Sequence, residues 1–397
     1  MILYKMQAIA NVLLGVGCLH VGAMPVAFAQ PSSAEIDTGL YPTVAVGLRA
    51  NDNILSADTN KTSDIIYILS PALTHRAVFG KHVLGLIYEG EFARYSDKSD
   101  ENYDDNKLGA DLLLDVTPKL NVNLAGGYRW SHDQRGAPGT GTVLSANPDL
   151  WQEGRLFGEL VYGRRTSQGQ IALSVESAGL DFTNNAQEAR DRDIRTFTGT
   201  FFYNFTGKTA AILEVSQKEV DYAGPAAVNL DSSETRTLVG AQWEATGQTT
   251  GNLRLGILEK NLDDAALRDF NGFTVSGEVS WEPRRIDLIN IRLIRETRES
   301  SQATASYYVA TGASIAWEHA LAELLSVKAH AGIESDDYSD GSRLDYLTVA
   351  GFGLTYDMTD RLDLAGSYGL KIRDSDVLGL NYEVNTFFIT LTYAPPR

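Results

Sequence analysis

The chain has 397 residues, a formal charge of −17 and a slightly negative mean hydropathy of −0.17. So acidic a chain has no electrostatic case for nucleic-acid binding. Its single cysteine excludes a disulfide scaffold.

The first residues read as a secretory leader: Lys5 is the only charge, Met6 to Val21 is mostly apolar, and Ala27-Phe28-Ala29 gives a small-x-small cleavage pattern before Gln30. The expected division is therefore a signal peptide at 1–29 and one membrane domain at 30–397. An uncleaved anchor helix is the plainer alternative, because the apolar run lies near the lower limit for spanning. Gly15-Val16-Gly17 before Cys18 lacks the branched aliphatic residue with which a lipobox usually starts, so lipidation is disfavoured.

From Tyr41 onward one unit repeats: an alternating segment, a turn, another alternating segment. Expected strands cover 40–50, 64–78, 82–96, 102–116, 120–134, 150–163, 170–183, 191–205 and 209–222. They continue at 234–246, 250–262, 270–282, 286–298, 304–319, 323–336, 343–357, 361–374 and 380–394. In the segment around Thr274, Phe273, Val275, Val279 and Trp281 share one face while Ser276, Glu278 and Ser280 share the other. A period of two is a strand signal and builds no helical stripe. Tight turns such as Phe79-Gly80-Lys81, Thr117-Pro118-Lys119, Thr206-Gly207-Lys208 and Met358-Thr359-Asp360 alternate with longer polar links at 51–63, 136–149, 223–233 and 335–342. Strands of roughly fourteen residues exceed the five or six of a soluble sandwich and suffice to cross a tilted bilayer. The expected fold is all-β: a single antiparallel transmembrane outer-membrane β-barrel of about eighteen strands, with lipid around it. Tyr88, Tyr95, Tyr128, Trp130, Tyr162, Tyr203, Trp243, Trp281, Trp317 and Tyr356 near strand ends fit interfacial girdles. Phe387, Ile389, Leu391 and Tyr393 give the last strand an apolar face, displaced from the terminus by Ala394-Pro395-Pro396-Arg397.

A barrel of this size encloses a channel. The polar face of each strand supplies the candidate lumen lining: Arg76, Glu89, Glu91, Asp111, Arg129, Arg155, Glu159, Glu176, Glu214, Lys218, Arg254, Glu278, Arg292, Lys328, Glu334 and Lys371. Charge on a spanning strand is costly unless it faces water or a partner. For each residue alone, lumen solvation or a cross-lumen ion pair is the plainer reading. Collectively they would keep a pore hydrated. The link from Gly136 to Pro148 either folds inward to constrict that pore or lies on the surface, and the sequence leans to the surface.

Signals for chemistry are weak. No zinc-protease, serine-hydrolase or cysteine-cluster motif occurs, and no catalytic, metal or cofactor site is assigned. Gly207-Lys208-Thr209 imitates a phosphate loop, but Phe202 occupies its first glycine position. Asp336, Asp337, Asp340 and Gly341 imitate a calcium loop that Tyr338 and Leu347 spoil. His132-Asp133 is the one pair that an enzyme could use.

Three stretches carry a resemblance: Asn51-Asp52-Asn53-Ile54; Ser63-Asp64-Ile65-Ile66 leading to Leu69-Ser70-Pro71; and Asn102-Tyr103 followed by Tyr128 and Arg135-Gly136. They resemble the β-barrel porin 2 group, which includes outer-membrane proteins of exopolysaccharide-biosynthesis operons. The resemblance implies a porin through which a secreted polysaccharide leaves the cell, working with periplasmic export components. A diffusion or uptake porin for small solutes, and a closed structural or adhesive barrel, are the alternatives.

Overall fold

The computed structural model describes residues 38–137, 145–224, 228–244, 247–300 and 305–395. The expected leader, 1–29, lies outside the described residues. The first nine strands are β1 (Gly39–Asn51), β2 (Asp64–Phe79), β3 (His82–Tyr95), β4 (Tyr103–Thr117), β5 (Leu120–His132), β6 (Leu150–Tyr162), β7 (Gly169–Phe182), β8 (Arg192–Thr206) and β9 (Thr209–Tyr222). The other nine are β10 (Ser232–Glu244), β11 (Thr249–Leu262), β12 (Phe270–Trp281), β13 (Asp287–Glu299), β14 (Tyr307–Ala322), β15 (Leu325–Tyr338), β16 (Leu344–Thr359), β17 (Leu362–Ser375) and β18 (Tyr382–Tyr393).

Each strand pairs antiparallel with its neighbours in sequence, and β1 pairs with both β2 and β18, so the 18-stranded sheet closes. Closure removes both sheet edges, which a soluble sandwich would keep. No helix among the described residues is long and apolar enough to cross a membrane; a barrel crosses with strands.

The strand bounds follow the alternation closely. The largest departure is at β14, expected at 304–319 and found at Tyr307–Ala322. The expected link 335–342 shrinks to 339–343, because Asp336 and Asp337 continue the ladder opposite Ala310 and Val309. Polarity there marks strand and not loop: Asp336 lines the interior, and Asp337 stands on the outer parity.

One end of the barrel carries the short turns, the start of β1 and the end of β18; the other carries the long links. Three turns share a device. The Thr117, Thr206 and Thr359 side-chain oxygens accept the backbone N–H two residues on, at 3.2, 3.1 and 3.2 Å. In each case the register shifts by a bulge at that threonine, which tightens the local twist as the chain reverses.

Residues directly opposite each other in neighbouring strands point to the same side. The outer side is apolar: Val44, Val46 and Leu48 on β1, Leu156 on β6, Leu173 on β7, Ile257 on β11 and Phe352 on β16 are exposed. Tyr162, Tyr203, Trp281, Trp317 and Tyr356 form an outward girdle near the turn end. Tyr67, Trp130, Phe273, Tyr346 and Phe387 stand outward toward the loop end. Tyr95, expected in a girdle, instead lies opposite Ile66 and packs inside against Tyr103, with rings 6.5 Å apart.

Candidate functional site

The charged positions singled out by alternation share the parity opposite the exposed apolar chains, which is the interior of the closed sheet. They do not converge on one point. Arg76 stands on β2, Glu89 and Glu91 on β3, Asp111 on β4, and Arg129 on β5. Arg155 and Glu159 belong to β6, Glu176 to β7, Glu214 and Lys218 to β9, and Arg254 to β11. Glu278 lies on β12 opposite Arg292 of β13, while Lys328 and Glu334 are on β15 and Lys371 is on β17. The structure pairs Arg155 with Glu176 at 2.9 Å and Arg254 with Glu214 at 3.2 Å. Glu89 meets Lys107 at 2.8 Å, Glu159 accepts from Asn123 at 2.6 Å, and Lys328 lies 3.3 Å from Glu318.

These pairs differ in how far water reaches them. Midway up, the Lys107 and Glu89 side chains keep 43% and 36% of their surface exposed. Toward the loop end the inward charges are sealed. Lys260 is fully buried against Glu299 at 2.8 Å, and Arg343 and Asp345 are 1% and 0% exposed. Three inward-folded segments cause this.

The first is the loop end of β13 and β14. Pairing between β12 and β13 stops at Val275↔Arg295, so the outer part of β13 leaves the wall. There the Thr274 hydroxyl donates to the Arg295 carbonyl at 2.6 Å, and Arg295 Nε donates to the Phe273 carbonyl at 3.1 Å. Side chains thus replace the ladder bonds that a membrane-level backbone needs. Beyond that point Thr297 and Glu299 would face outward by alternation. Instead Thr297 donates to Glu234, and Glu299 meets Lys260 and Lys218, all on the inner faces of β9 to β11. Tyr307 and Val309, their partners on β14, pack against Leu262, Leu267 and Phe270. On the other side of β13, Arg298 bridges Glu296 and Glu334, each at 3.0 Å.

The second segment is the link after β1. Asn53 donates to the carbonyls of Ala57 and Glu383 at 2.8 and 3.1 Å. This turns Ile54 inward onto Ile66, Ile68, Tyr103 and Phe388.

The third is the link after β5. The Arg135 guanidinium makes a two-pronged pair with Glu101, at 3.0 and 2.7 Å. Ser56 donates to the Arg135 carbonyl at 2.9 Å. Gly136 and Ala137 then reach Arg373 and Tyr382 on β17 and β18. The described part of this link therefore folds inward, against the surface reading. Residues 138–144 of this link lie outside the described residues.

Alternation also places aromatic rings inside, which a search for charge alone passes over. Arg129 lies 5.8 Å from the Trp151 ring, Arg192 5.9 Å from Tyr222, and Arg343 4.6 Å from Tyr338; Tyr307, 5.9 Å from Lys260, has the outward parity and comes inside only with the stray end of β13 and β14. Lys371 and Arg373 both face Tyr382, at 5.5 and 4.8 Å. Trp151 shares the parity of Glu153 and Arg155, so it was findable. Glu299 and Thr297 were not, since they sit where alternation predicts lipid.

His132 and Asp133 do not act on each other. His132 stacks on Tyr103 with ring centroids 4.0 Å apart and contacts Asp105 at 2.9 Å, whereas Asp133 pairs with Arg190 at 2.7 Å. Gly207-Lys208-Thr209 is the β8–β9 turn. Among the described residues, no group of three His, Cys, Asp or Glu side chains is placed to hold a metal.

The family model described as "Putative beta-barrel porin 2" matches residues 39–394, nearly the whole chain. The chain belongs to that porin family. As in other outer-membrane porins, the turn end is then periplasmic and the loop end external. The family and the fold point to a channel and not to an enzyme. No curated protein matches the sequence. Among solved structures, the chain is similar to OccK2 (OpdF) of Pseudomonas aeruginosa, with a TM-score of 0.50 and 10% identity, covering 89% of this chain and 98% of that one. It is also similar to OpdK of the same organism, at a TM-score of 0.49 and 12% identity, over 90% of this chain and 99% of the other. A BenF-like porin of Pseudomonas fluorescens Pf-5 gives 0.48 and 9%, over 90% and 99%. At such identities the likeness speaks to fold alone. The porin barrel and its family place the protein in the outer membrane.

Proposed function

We propose that this porin passes small polar solutes by diffusion, with the external half of its lumen setting which solutes enter. The observation that carries this reading is the inward folding of three segments at the external mouth. Half-exposed ion pairs such as Lys107–Glu89 line the middle, while sealed pairs such as Lys260–Glu299 and inward-folded links fill the external mouth. A polar mouth partly filled by inward-folded links suits compact solutes better than a polymer. The lining charges, from Arg76 round to Lys371, act collectively: they keep water in the barrel and offer hydrogen bonds to a passing solute. Purified protein in liposomes should cause swelling in small sugars and amino acids, with rates falling steeply as solute size grows. Equal, zero swelling in every solute would sink the reading. Cleavage of the leader after Ala29 goes with it, and the mature N-terminus should read Gln30.

Export of a secreted polysaccharide, with periplasmic partners, is the second reading. What supports it is the resemblance of the stretches around Asn51, Ser63 and Asn102 to a porin group that includes proteins of exopolysaccharide-biosynthesis operons. Deleting the gene should then abolish surface polysaccharide; unchanged polymer with altered solute uptake would leave the diffusion porin.

A further inference from the structure

The link after β5 is held in a way that a surface loop is not. The carbonyls of three consecutive residues, Arg135, Gly136 and Ala137, all accept from side chains of other elements. Ser56 of the link after β1 takes the first at 2.9 Å. Arg373 Nη2 takes the second and third, at 2.6 and 3.0 Å, and the Tyr382 hydroxyl shares the second at 2.9 Å. Between β5 and β17 the sheet runs through β4, β3, β2, β1 and β18. The contact is therefore made across the mouth and not along the wall.

We propose that Arg373 sets the size limit of the passage by latching this strap, Arg135 to Ala137, over the external mouth. The inference rests on the porin reading above. The Arg373 side chain is 2% exposed, with Nε 3.5 Å from Asp345 and the guanidinium over the Tyr382 ring. Asp345 is already gripped by Arg343, at 2.9 and 3.0 Å, so it orients Arg373 while leaving Nη2 free to hold the strap. A buried arginine held by two neutral carbonyls and one carboxylate at 3.5 Å is a weak way to stabilise a core; an apolar contact would serve as well or better. Such a polar latch is suited to holding a strap that solute must pass.

The strap is shaped to be latched. Gly136 has φ of +68°, and a Cβ there would meet Ser56 Cβ at 2.6 Å and Tyr382 Cε1 at 2.8 Å. Any side chain at 136 is both strained and excluded, so replacing it dislodges the strap without touching a lumen charge.

The test compares wild type with Arg373→Gln, Gly136→Val and Lys371→Gln in planar bilayers and in liposome swelling with graded sugars. Each variant is first shown to keep the heat-modifiable gel mobility of a folded barrel. Larger single-channel conductance and a larger exclusion limit in both Arg373→Gln and Gly136→Val, with Lys371→Gln changing ion selectivity but not the exclusion limit, is the expected result. A gain in Arg373→Gln matched by Lys371→Gln but absent from Gly136→Val would overturn the latch in favour of simple charge loss. Unchanged exclusion limits in Arg373→Gln and Gly136→Val, with a conducting wild type, would overturn the latch and leave the porin. No conduction in any of the four would overturn both.

Discussion

Two lysine–glutamate pairs of this barrel have the same length and opposite circumstances. Lys107–Glu89 and Lys260–Glu299 both close to 2.8 Å. The first is 43% and 36% exposed and spans neighbouring strands of the wall. The second is 0% and 7% exposed and ties the stray end of β13 to β11. The same chemistry is water-softened lining in one place and a rivet in the other. What separates them is the second layer of protein that the stray end of β13 and β14 lays over Lys260.

Breaking the rivet should show the contrast most strongly. Lys260→Met leaves Glu299 buried with a weakened set of partners and should cost about 3–5 kcal/mol of stability. Urea unfolding in detergent micelles, followed by tryptophan fluorescence, would read this as a lower midpoint at unchanged slope. Adding Glu299→Leu to it should recover most of the loss, since a matched apolar pair can replace a buried ionic one. A double variant no better than the single would mean that Glu299 matters through Lys218 and Tyr222 instead. On the outer surface, Leu255→Arg puts a charge among exposed apolar neighbours and should cost about 2–4 kcal/mol if it lies near the bilayer midplane. The same unfolding titration in lipid vesicles checks it. Lys107→Met, by contrast, should shift stability by no more than about 1 kcal/mol. A loss as large as that of Lys260→Met would erase the distinction between the two pairs.

Much of this barrel was legible in its sequence, and the reason is that one rule governs it. Alternation places Thr274, Ser276 and Glu278 on one side and Val275, Val279 and Trp281 on the other, and the closed sheet keeps them there. The turns are equally local: a threonine before Pro118, Gly207 or Asp360 caps the reversal with its own oxygen. What stayed hidden depends on contacts made across the lumen. Nothing near Thr297 or Glu299 says that β13 will leave the wall, because the partners that draw it in, Glu234 and Lys260, lie far back in the chain. Gly136 is likewise an ordinary turn glycine until Ser56, Arg373 and Tyr382 converge on it. Tyr95 failed for a simpler reason: an aromatic at a strand end serves a girdle or a core equally well, and only parity separates the two.

The seam between β1 and β18 carries a consequence for biogenesis. Its ladder runs from Val44↔Tyr393 to Asn51↔Thr386, joining residues nearly a whole chain length apart. Every other ladder joins neighbours in sequence and can zip as the polypeptide is delivered, whereas this one awaits the final dozen residues. Until they arrive, β1 and β17 are naked edges that would template association with another chain. The unfinished protein must therefore be chaperoned as an open ribbon. A nonsense mutation before Tyr382 would yield not a leaky pore but a sheet that never seals, and quality-control proteases in the periplasm would meet it first.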